Sequence, residues 1–301
     1  MEAKYHAGEL EVQERAGVRK MADKIGNGIR SFIPEAAQDF LGEQSMLVMS
    51  SVDSEGQVWV SLLTGQPGFV EVLDDETIEI TPGNLEDDQL YQNLSQNPQV
   101  GIIAIEFANR RRMRLNGEAE LKPQNIIRVK SREVFANCPK YIQARETSVE
   151  EAIVHGKEQR ARGLTENQQS WIKKADTFFI GSYNPEWGAD ASHRGGQPGF
   201  VKVLSPDLIA FADYSGNNMF QTLGNLATYP KSGLLFVDFE TGNTLQLTGS
   251  AKIIWDEAYI SQFPGAQRVV EFQIDEVIQK DSPNPHPWYF LNYSSFNPKA
   301  E

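Results

Sequence analysis

A short polar motif in the second half of the chain has the residue types of an anion-binding site. Asp190-Ala-Ser-His-Arg-Gly-Gly196 carries Asp190, Ser192 and Arg194 at alternate positions. Side chains two residues apart in a strand share a face, so His193 should point the other way and be a buried or exposed structural residue, with a proton relay as the alternative. Hydroxyl and guanidinium donors together suit a phosphate. The motif therefore predicts that Ser192 and Arg194 bind an anionic ligand, while Asp190 either orients Arg194 or caps a turn.

A second polar segment leads from a turn into a predicted helix. Residues 211–226 offer hydroxyls, amides and glycines just before the helix begins. A helix N-terminus attracts anions through its unpaired backbone N–H groups, so Thr222 is a predicted ligand contact. Asn217 and Asn218, next to Gly216, suit a turn with positive φ. A ligand contact is the alternative for Asn218.

Four arginines lie close together in Asn109-Arg-Arg-Arg-Met-Arg114, in a chain whose formal net charge is −13. Strand alternation would place Arg110, Arg112 and Arg114 on one face. Arg112 and Arg114 are predicted ligand contacts, with a solvated strand face as the alternative. Arg110 and Arg111 are predicted to be exposed.

All these motifs belong to an internal repeat. Gly65-Gln-Pro-Gly-Phe-Val-Glu-Val-Leu73 returns 131 residues later as residues 196–204, with one mismatch. Residues 93–98 then match 225–230, and residues 113–119 match 245–251. We call the two halves copy one and copy two. Two such copies can pack about a pseudo-twofold axis, as the subunits of a homodimer do.

Each copy is predicted to be a series of short strands separated by turns, which favours an antiparallel barrel or sandwich over a doubly wound sheet. The predicted fold is therefore mainly β with flanking helices. Predicted domains cover residues 1–164 and 165–301, with the junction between 163 and 168. The predicted helices are 9–24 and 126–164, the latter with a capping serine at Ser148. Predicted strands are 45–52, 69–73 and 77–80 in copy one, and 177–182, 200–204 and 208–212 in copy two; each copy then adds a short helix and two further strands.

The copies differ where the polar motifs lie. In place of Asp190, His193 and Arg194, copy one carries Trp59, Leu62 and Leu63, and only Ser61 matches Ser192. Copy one also carries Glu86, Asp87 and Asp88 before its helix, where they would repel an anion. Copy two in turn lacks the arginine run. We therefore predict one composite anion site, formed by Ser192, Arg194 and Thr222 of copy two and by arginines of copy one.

Composition narrows the function classes. Hydrophobic residues make up 40% and charged residues 23% of the 301 residues, which is ordinary for a globular protein. The acidic balance argues against nucleic acid or an anionic membrane as partner. Cys138 is the only cysteine and is predicted to be an unreactive thiol, and no residue spacing indicates a metal site. No secretory signal or membrane span is recognisable, so a cytoplasmic location is expected.

Several motifs together resemble the tandem members of the pyridoxamine 5′-phosphate oxidase-like family, the FMN-binding split β-barrels. The resemblance covers about residues 5–290 and rests on segments 190–201, 216–225, 245–249, 110–117 and 135–143. It implies two split barrels packed as a pseudo-dimer, with flavin mononucleotide (FMN) at their interface. Ser192, Arg194, Gln221 and Thr222 would hold its phosphate, and Arg112 would approach the flavin.

The chain also departs from the family pattern. Gln221 and Thr222 replace a basic pair of the oxidases, and residues 284–298 lack the arginine of their substrate motif. Pyridoxamine phosphate is therefore not the expected substrate. Trp288 and Tyr289 in that segment would either stack on the flavin or close the barrel core.

The leading functional hypothesis is an FMN-dependent oxidoreductase that passes electrons from a donor such as NAD(P)H to a small acceptor. The flavin would carry the chemistry, so no catalytic side chain is assigned. Two alternatives stay open: a flavin carrier or sensor without turnover, and a haem-handling protein on the same barrel. The latter would need an axial ligand from His6, His155, His193 or His286. The pseudo-dimers could also associate into a further homodimer.

Overall fold

The computed structural model describes residues 4–83, 88–147, 156, 158–282 and 287–298. Copy one forms a seven-stranded antiparallel sheet in the order β2-β1-β5-β6-β7-β4-β3. Its strands are β1 (Met46–Val52), β2 (Val58–Thr64), β3 (Val70–Val72), β4 (Thr77–Ile80), β5 (Gln99–Glu106), β6 (Arg111–Lys122) and β7 (Ile126–Ala136).

Copy two repeats this topology. After the short strands β8 (Ala144–Glu146) and β9 (Glu158–Ala161), its sheet runs in the equivalent order β11-β10-β14-β15-β16-β13-β12. Its strands are β10 (Thr177–Asn184), β11 (Gly188–Gly195), β12 (Val201–Ser205), β13 (Leu208–Asp213), β14 (Lys231–Val237), β15 (Thr244–Ile254) and β16 (Arg268–Lys280). Strand β9 pairs with β16, and β17 (Tyr289–Asn292) pairs with β8. Identical strand order in both copies confirms the predicted tandem, mainly β fold.

Helices flank the sheets: α1 (Ala7–Arg15), α2 (Arg19–Ile25), α3 (Glu35–Gly42), α4 (Gln89–Leu94), α5 (Glu166–Lys174), α6 (Gln221–Thr228) and α7 (Glu257–Ile260). The helix predicted at 9–24 is divided into two at Gly17, whose φ is +71°. Helix α1 packs on α6 of copy two, where a Cβ at Gly8 would lie 2.2 Å from the Gly224 carbonyl oxygen. No helix in the described part of the chain is both long and apolar enough to cross a membrane.

In the described part of residues 126–164, which contains β7, β8 and β9, the predicted helix is wrong. Strand β7 occupies its first eleven residues and pairs with β6 and β4. Ile127 and Val129 are buried while Arg128 and Lys130 are exposed, which is the two-residue period of a strand. That alternation was hidden by charge-rich composition typical of helices. The predicted cap at Ser148 lies outside the described residues.

Each sheet encloses its own apolar core, and a third apolar cluster lies between the copies. Strands of the two copies meet there at glycines. A Cβ at Gly101 of β5 would lie 2.4 Å from the Asp190 Cα of β11, and one at Gly233 of β14 would lie 2.5 Å from the Val58 carbonyl oxygen of β2. These two contacts are equivalent under the pseudo-twofold relation, so glycine permits the backbones to touch at both places.

The close approach at Gly101 generates a stability prediction. Gly101→Ala should lower the free energy of unfolding by roughly 1–3 kcal/mol, because the new methyl group meets backbone that cannot move aside. The measurement is urea denaturation followed by circular dichroism. Gly42→Ala is the control, since no atom lies within 4 Å of its Cβ position. Equal stability of the Gly101→Ala variant and the unmodified protein would contradict the tight packing.

Candidate functional site

Strand β11 of copy two and strand β6 of copy one bring the predicted residues together. Arg114 Nη1 donates to both carboxylate oxygens of Asp190, at 3.0 and 3.1 Å, and its Nη2 donates to Ser192 Oγ at 2.5 Å. Thr222, in the first turn of α6, donates to Asp190 Oδ2 at 3.1 Å. All four side chains are buried. Three elements from two copies therefore converge on one polar cluster.

Arg112 lies two residues before Arg114 on β6 and contacts a different residue of β11. Its Nη1 is 2.8 Å from Nδ1 of His193. Arginine can only donate, so Nδ1 accepts and the imidazole carries its proton on Nε2. Burial, followed by the charge of Arg112, holds the pKa of His193 well below its usual value. His193 is therefore a neutral, buried residue.

Arg194 has a different carboxylate partner from the one expected. Its Nη1 lies 3.8 Å from Asp213 Oδ1 at the end of β13, and Arg268 binds the other oxygen of Asp213 at 2.7 Å. Asp190 is taken by Arg114 instead, so the predicted roles of orienting Arg194 or capping a turn are both wrong. Because Arg268 already neutralises Asp213, Arg194 keeps most of its positive charge for another partner.

Two of the predicted ligand contacts, Asn218 and Gln221, are not part of the polar cluster around Asp190. The Asn218 side chain donates to the Met21 sulfur at 3.0 Å on α2, and its φ of +62° matches the predicted turn role. Gln221 is buried at the start of α6, and its Nε2 has no hydrogen-bond partner among the described residues.

A small cavity of about 60 Å³ opens between β6 and β11. Four cationic residues and no acidic residue line it; the cationic residues are Arg112, Arg114, Lys140 and Arg194. The volume is several times the ~10–15 Å³ that one water molecule requires. We call this space the cationic cavity.

Several buried polar atoms around the cationic cavity have no hydrogen-bond partner among the described residues. They are Nε of Arg112, Arg114 and Arg194, Nε2 of His193 and Oδ1 of Asn137. Buried polar groups are normally satisfied, and each unsatisfied group costs on the order of 1–3 kcal/mol. Such a cluster of four donors and one acceptor is typical of a site that is completed by a ligand or water.

The clustering of cations has an electrostatic cost in the free protein. Burial, together with the neighbouring Arg114 and Arg194, lowers the pKa of Arg112 to about 9. Burial also lowers the pKa of Arg194, against the opposing effect of Asp213. An anion in the cavity would relieve this repulsion, so the site favours a negatively charged ligand.

Sequence reasoning missed the loop that closes the cavity. Residues 137–141 follow β7, and four of them line the space: Asn137, Cys138, Lys140 and Tyr141. The C-terminal segment holds this loop, because Ser294 Oγ accepts from the Tyr141 backbone N–H at 3.2 Å. The only available signal was the segment 135–143 in the family resemblance, which gave these residues no role.

The aromatic residues near the C-terminus do not reach the cavity. Trp288 is buried in the cluster between the copies and packs edge-to-face on Phe239 at 5.8 Å. Tyr289 is 56% exposed. Of the two proposed roles for Trp288, packing is the one the structure supports.

Comparison with protein families shows which family the chain belongs to. The model of the pyridoxamine 5′-phosphate oxidase family matches this chain twice, over residues 33–154 and 164–285. The chain belongs to this family. Both matches fall on the two structural copies, so the resemblance seen in the sequence is confirmed. No curated protein matches the chain.

Several solved structures match part of the chain at low identity. A candidate pyridoxamine 5′-phosphate oxidase of Lactobacillus delbrueckii is 20% identical over 39% of this chain and 94% of its own, with a TM-score of 0.33. An FMN-binding protein of Syntrophomonas wolfei is 14% identical over 42% and 95%, with a TM-score of 0.28. The haem storage protein HutZ of Vibrio cholerae is 17% identical over 35% and 94%, with a TM-score of 0.25. Each match extends over about the length of one copy.

This member of the pyridoxamine 5′-phosphate oxidase family has a second, altered site at the pseudo-twofold position. Gln246 of β15 replaces Arg114 there, and it donates to Ser61 Oγ at 3.1 Å as Arg114 does to Ser192. Lys280 occupies the position in copy two that Asn137 occupies in copy one, because each lies opposite the residue two before Gln246 or Arg114. Its Nζ donates to Asp88 Oδ2 at 2.9 Å. A buried ion pair therefore stands where the other site has a cavity.

Asp88 does not repel an anion in the way the sequence suggested. Its carboxylate is matched by Lys280 and also accepts from Ser61, while Glu86 and Asp87 lie outside the described residues. A charged side chain from copy two thus closes the altered site of copy one.

The Lys280–Asp88 pair generates a second stability prediction. Lys280→Met should cost roughly 3–5 kcal/mol, because it leaves the Asp88 carboxylate buried without its counter-charge. The double variant with Asp88→Asn should recover a large part of that loss. Lys122→Met is the control, since Lys122 pairs with the exposed Glu120 and such pairs contribute little. A loss no larger than that of the control, measured by urea denaturation, would contradict the structural role of the pair.

Proposed function

We propose that the protein is a cytoplasmic, FMN-dependent oxidoreductase whose single flavin phosphate binds in the cationic cavity. The observation that carries the proposal is the cavity itself, which is lined by four cations and no carboxylate in a chain of net charge −13. Membership of the pyridoxamine 5′-phosphate oxidase family supports a flavin as the ligand.

The residues present fit a phosphate monoester. Ser192 supplies a hydroxyl, and Arg112, Arg114 and Arg194 supply guanidinium groups whose Nε atoms lack partners. Guanidinium groups bind phosphate oxygens through charge-assisted hydrogen bonds. Thr222, which donates to Asp190, and Gln221 lie next to the site at the start of α6, where the helix dipole adds positive potential.

The assigned residues have binding roles rather than acid–base roles. FMN supplies hydride or electron transfer when bound, between a donor such as NAD(P)H and a small acceptor. Arg114 and Asp190 hold copy one and copy two in register. His193 is kept neutral and buried, where it orients Arg112. Neither nucleic acid nor a membrane is proposed as a partner, because the excess negative charge opposes both; a further homodimer is part of the proposal.

The role of Arg194 can be tested with a substitution that the repeat itself supplies. Arg194→Leu copies Leu63 of copy one and removes a charge that has no structural partner besides the already neutralised Asp213. Its affinity for FMN should fall by ~30-fold or more, the effect of losing a charged hydrogen bond of about 2 kcal/mol. Flavin-free protein is titrated with FMN by fluorescence quenching, and turnover is measured with NAD(P)H.

Arg128→Leu provides the control, since Arg128 is on the surface and pairs with Glu79. It should bind FMN like the unmodified protein. Unchanged FMN affinity in the Arg194→Leu variant would overturn the site assignment. Tight FMN binding without any turnover would overturn the enzymatic part and leave a flavin carrier or sensor.

The lowered pKa of Arg112 predicts how FMN binding depends on pH. A bound phosphate raises that pKa above its free value of about 9. The contribution of Arg112 to FMN binding is therefore complete below pH 9 and is lost as the pH rises from 9 through the raised pKa of the complex. FMN affinity should be constant from pH 7 to 8.5 and then fall by up to ~10-fold per pH unit. Arg112→Gln should bind more weakly at pH 7 and flatten the profile. A flat profile for the unmodified protein up to pH 10, with circular dichroism showing it folded, would contradict this role.

A further inference from the structure

Cys138, the only cysteine of the chain, lines the cationic cavity and is partly exposed. In the sequence its one basic neighbour is Lys140, and on that basis an unreactive thiol is predicted. The fold changes these surroundings, because Arg112, Arg114 and Arg194 line the same cavity. The sulfur therefore belongs to a residue that shares one small space with four cationic residues.

Arg112 holds the turn that carries Cys138 from both sides. The Asn137 backbone N–H donates to the Arg112 carbonyl oxygen at 3.2 Å, and Arg112 Nη2 donates to the Lys140 carbonyl oxygen at 3.4 Å. Negative charge on the Cys138 sulfur acts to raise the pKa of Arg112, which shows that the two groups are close. The guanidinium is therefore fixed near the sulfur by hydrogen bonds on either side of it.

The same cavity contains buried polar atoms that point to an anionic ligand. His193 is 4% exposed and Arg114 is 8% exposed, yet His193 Nε2 and Arg114 Nε have no hydrogen-bond partner among the described residues. Both atoms are donors, since the other ring nitrogen of His193 accepts from Arg112. The space beside Cys138 is therefore suited to an acceptor oxygen, such as that of a carboxylate or a phosphate.

Thiol–disulfide exchange is the reaction that these surroundings favour, because reactive cysteines are partly exposed and lie in electropositive sites. The thiolate of Cys138 attacks one sulfur of a disulfide, the S–S bond breaks, and the other half leaves as a thiolate. Cys138 is oxidised to a mixed disulfide, the leaving sulfur is reduced, and the proton of the Cys138 thiol passes through solvent to the leaving group. The cationic residues attract a disulfide that carries carboxylates and repel one that carries amines.

We propose that Cys138 is a modification site at which a small disulfide bearing carboxylate groups forms a mixed disulfide, and that this adduct excludes the flavin phosphate from the cationic cavity. The second clause rests on the proposed function, whereas the selection of an anionic disulfide does not. The cavity has a volume of about 60 Å³, so it holds one anionic group at a time. A carboxylate tethered at Cys138 and the phosphate of FMN therefore compete for the same arginines, and reduction by a thiol restores the site.

The first test compares three small disulfides that differ in charge: 3,3′-dithiodipropionate, bis(2-hydroxyethyl) disulfide and cystamine. Mass spectrometry of flavin-free protein measures the rate at which one half-disulfide is added, and each rate is divided by that of the same disulfide with 2-mercaptoethanol. The dianion should exceed the neutral disulfide by at least ~10-fold, and the dication should be slowest. Arg112→Gln should reduce this preference at least ~3-fold, whereas the surface variant Arg128→Gln should match the unmodified protein. Cys138→Ser should gain no mass.

The second test measures the effect of the adduct on FMN binding. Flavin-free protein is converted to the dithiodipropionate adduct, titrated with FMN by fluorescence quenching, and titrated again after reduction with dithiothreitol. The adduct should bind FMN at least ~10-fold more weakly than the reduced protein, a loss of about 1.4 kcal/mol. Cys138→Ser carried through the same treatment should have the same FMN affinity before and after it.

Equal normalised rates for the three disulfides would overturn the selection of an anion, and so would an Arg112→Gln variant in which all three rates change alike. An adduct that binds FMN as tightly as the reduced protein would overturn the exclusion of the phosphate. Reduced protein that takes up no FMN would overturn the proposed function and the second clause with it. The first clause is tested separately, because the preference for the anionic disulfide is measured without flavin.

Discussion

The contact between Arg114 and the pair Asp190 and Ser192 holds the site together. It joins copy one to copy two through a buried guanidinium and a buried carboxylate. Separating such partners in a low-dielectric interior leaves an uncompensated charge and costs several kcal/mol. Because Gly101 lets β5 touch β11, the two charged groups come within hydrogen-bond distance. The composite site exists only while the copies stay docked in this register.

The same strand arrangement carries a cationic cavity at one of the two pseudo-twofold positions and a buried ion pair at the other. In one, Arg112, Arg114 and Arg194 surround an open cationic cavity. In the other, Gln246 replaces an arginine and Lys280 pairs with Asp88. Strand order and the glycine contacts are the same at both positions. The same strand order therefore accommodates a cationic cavity at one position and an internal ion pair at the other.

Much of this architecture follows from the sequence because the repeat shows in short matching segments and the strands alternate between buried and exposed residues. Strand β4 occupies the predicted residues, and the predicted face shared by Arg112 and Arg114 points at β11. The failures involve contacts between distant segments. The carboxylate partner of Arg194 is Asp213, and the cation opposite Asp88 is Lys280, 192 residues away. Strand β7 was missed because its charged residues are frequent in helices, while its partners β4 and β6 fixed it as a strand.

A comparison of FMN with riboflavin tests the central claim most directly, since the two share a ring and differ in the phosphate. Flavin-free protein is titrated with each ligand, and affinity and stoichiometry are read from flavin fluorescence. A phosphate held in the cationic cavity predicts one FMN per chain and affinity for riboflavin lower by ~100-fold, about 2.7 kcal/mol. Equal affinities for the two ligands, or two FMN molecules per chain, would contradict a single phosphate site built by both copies.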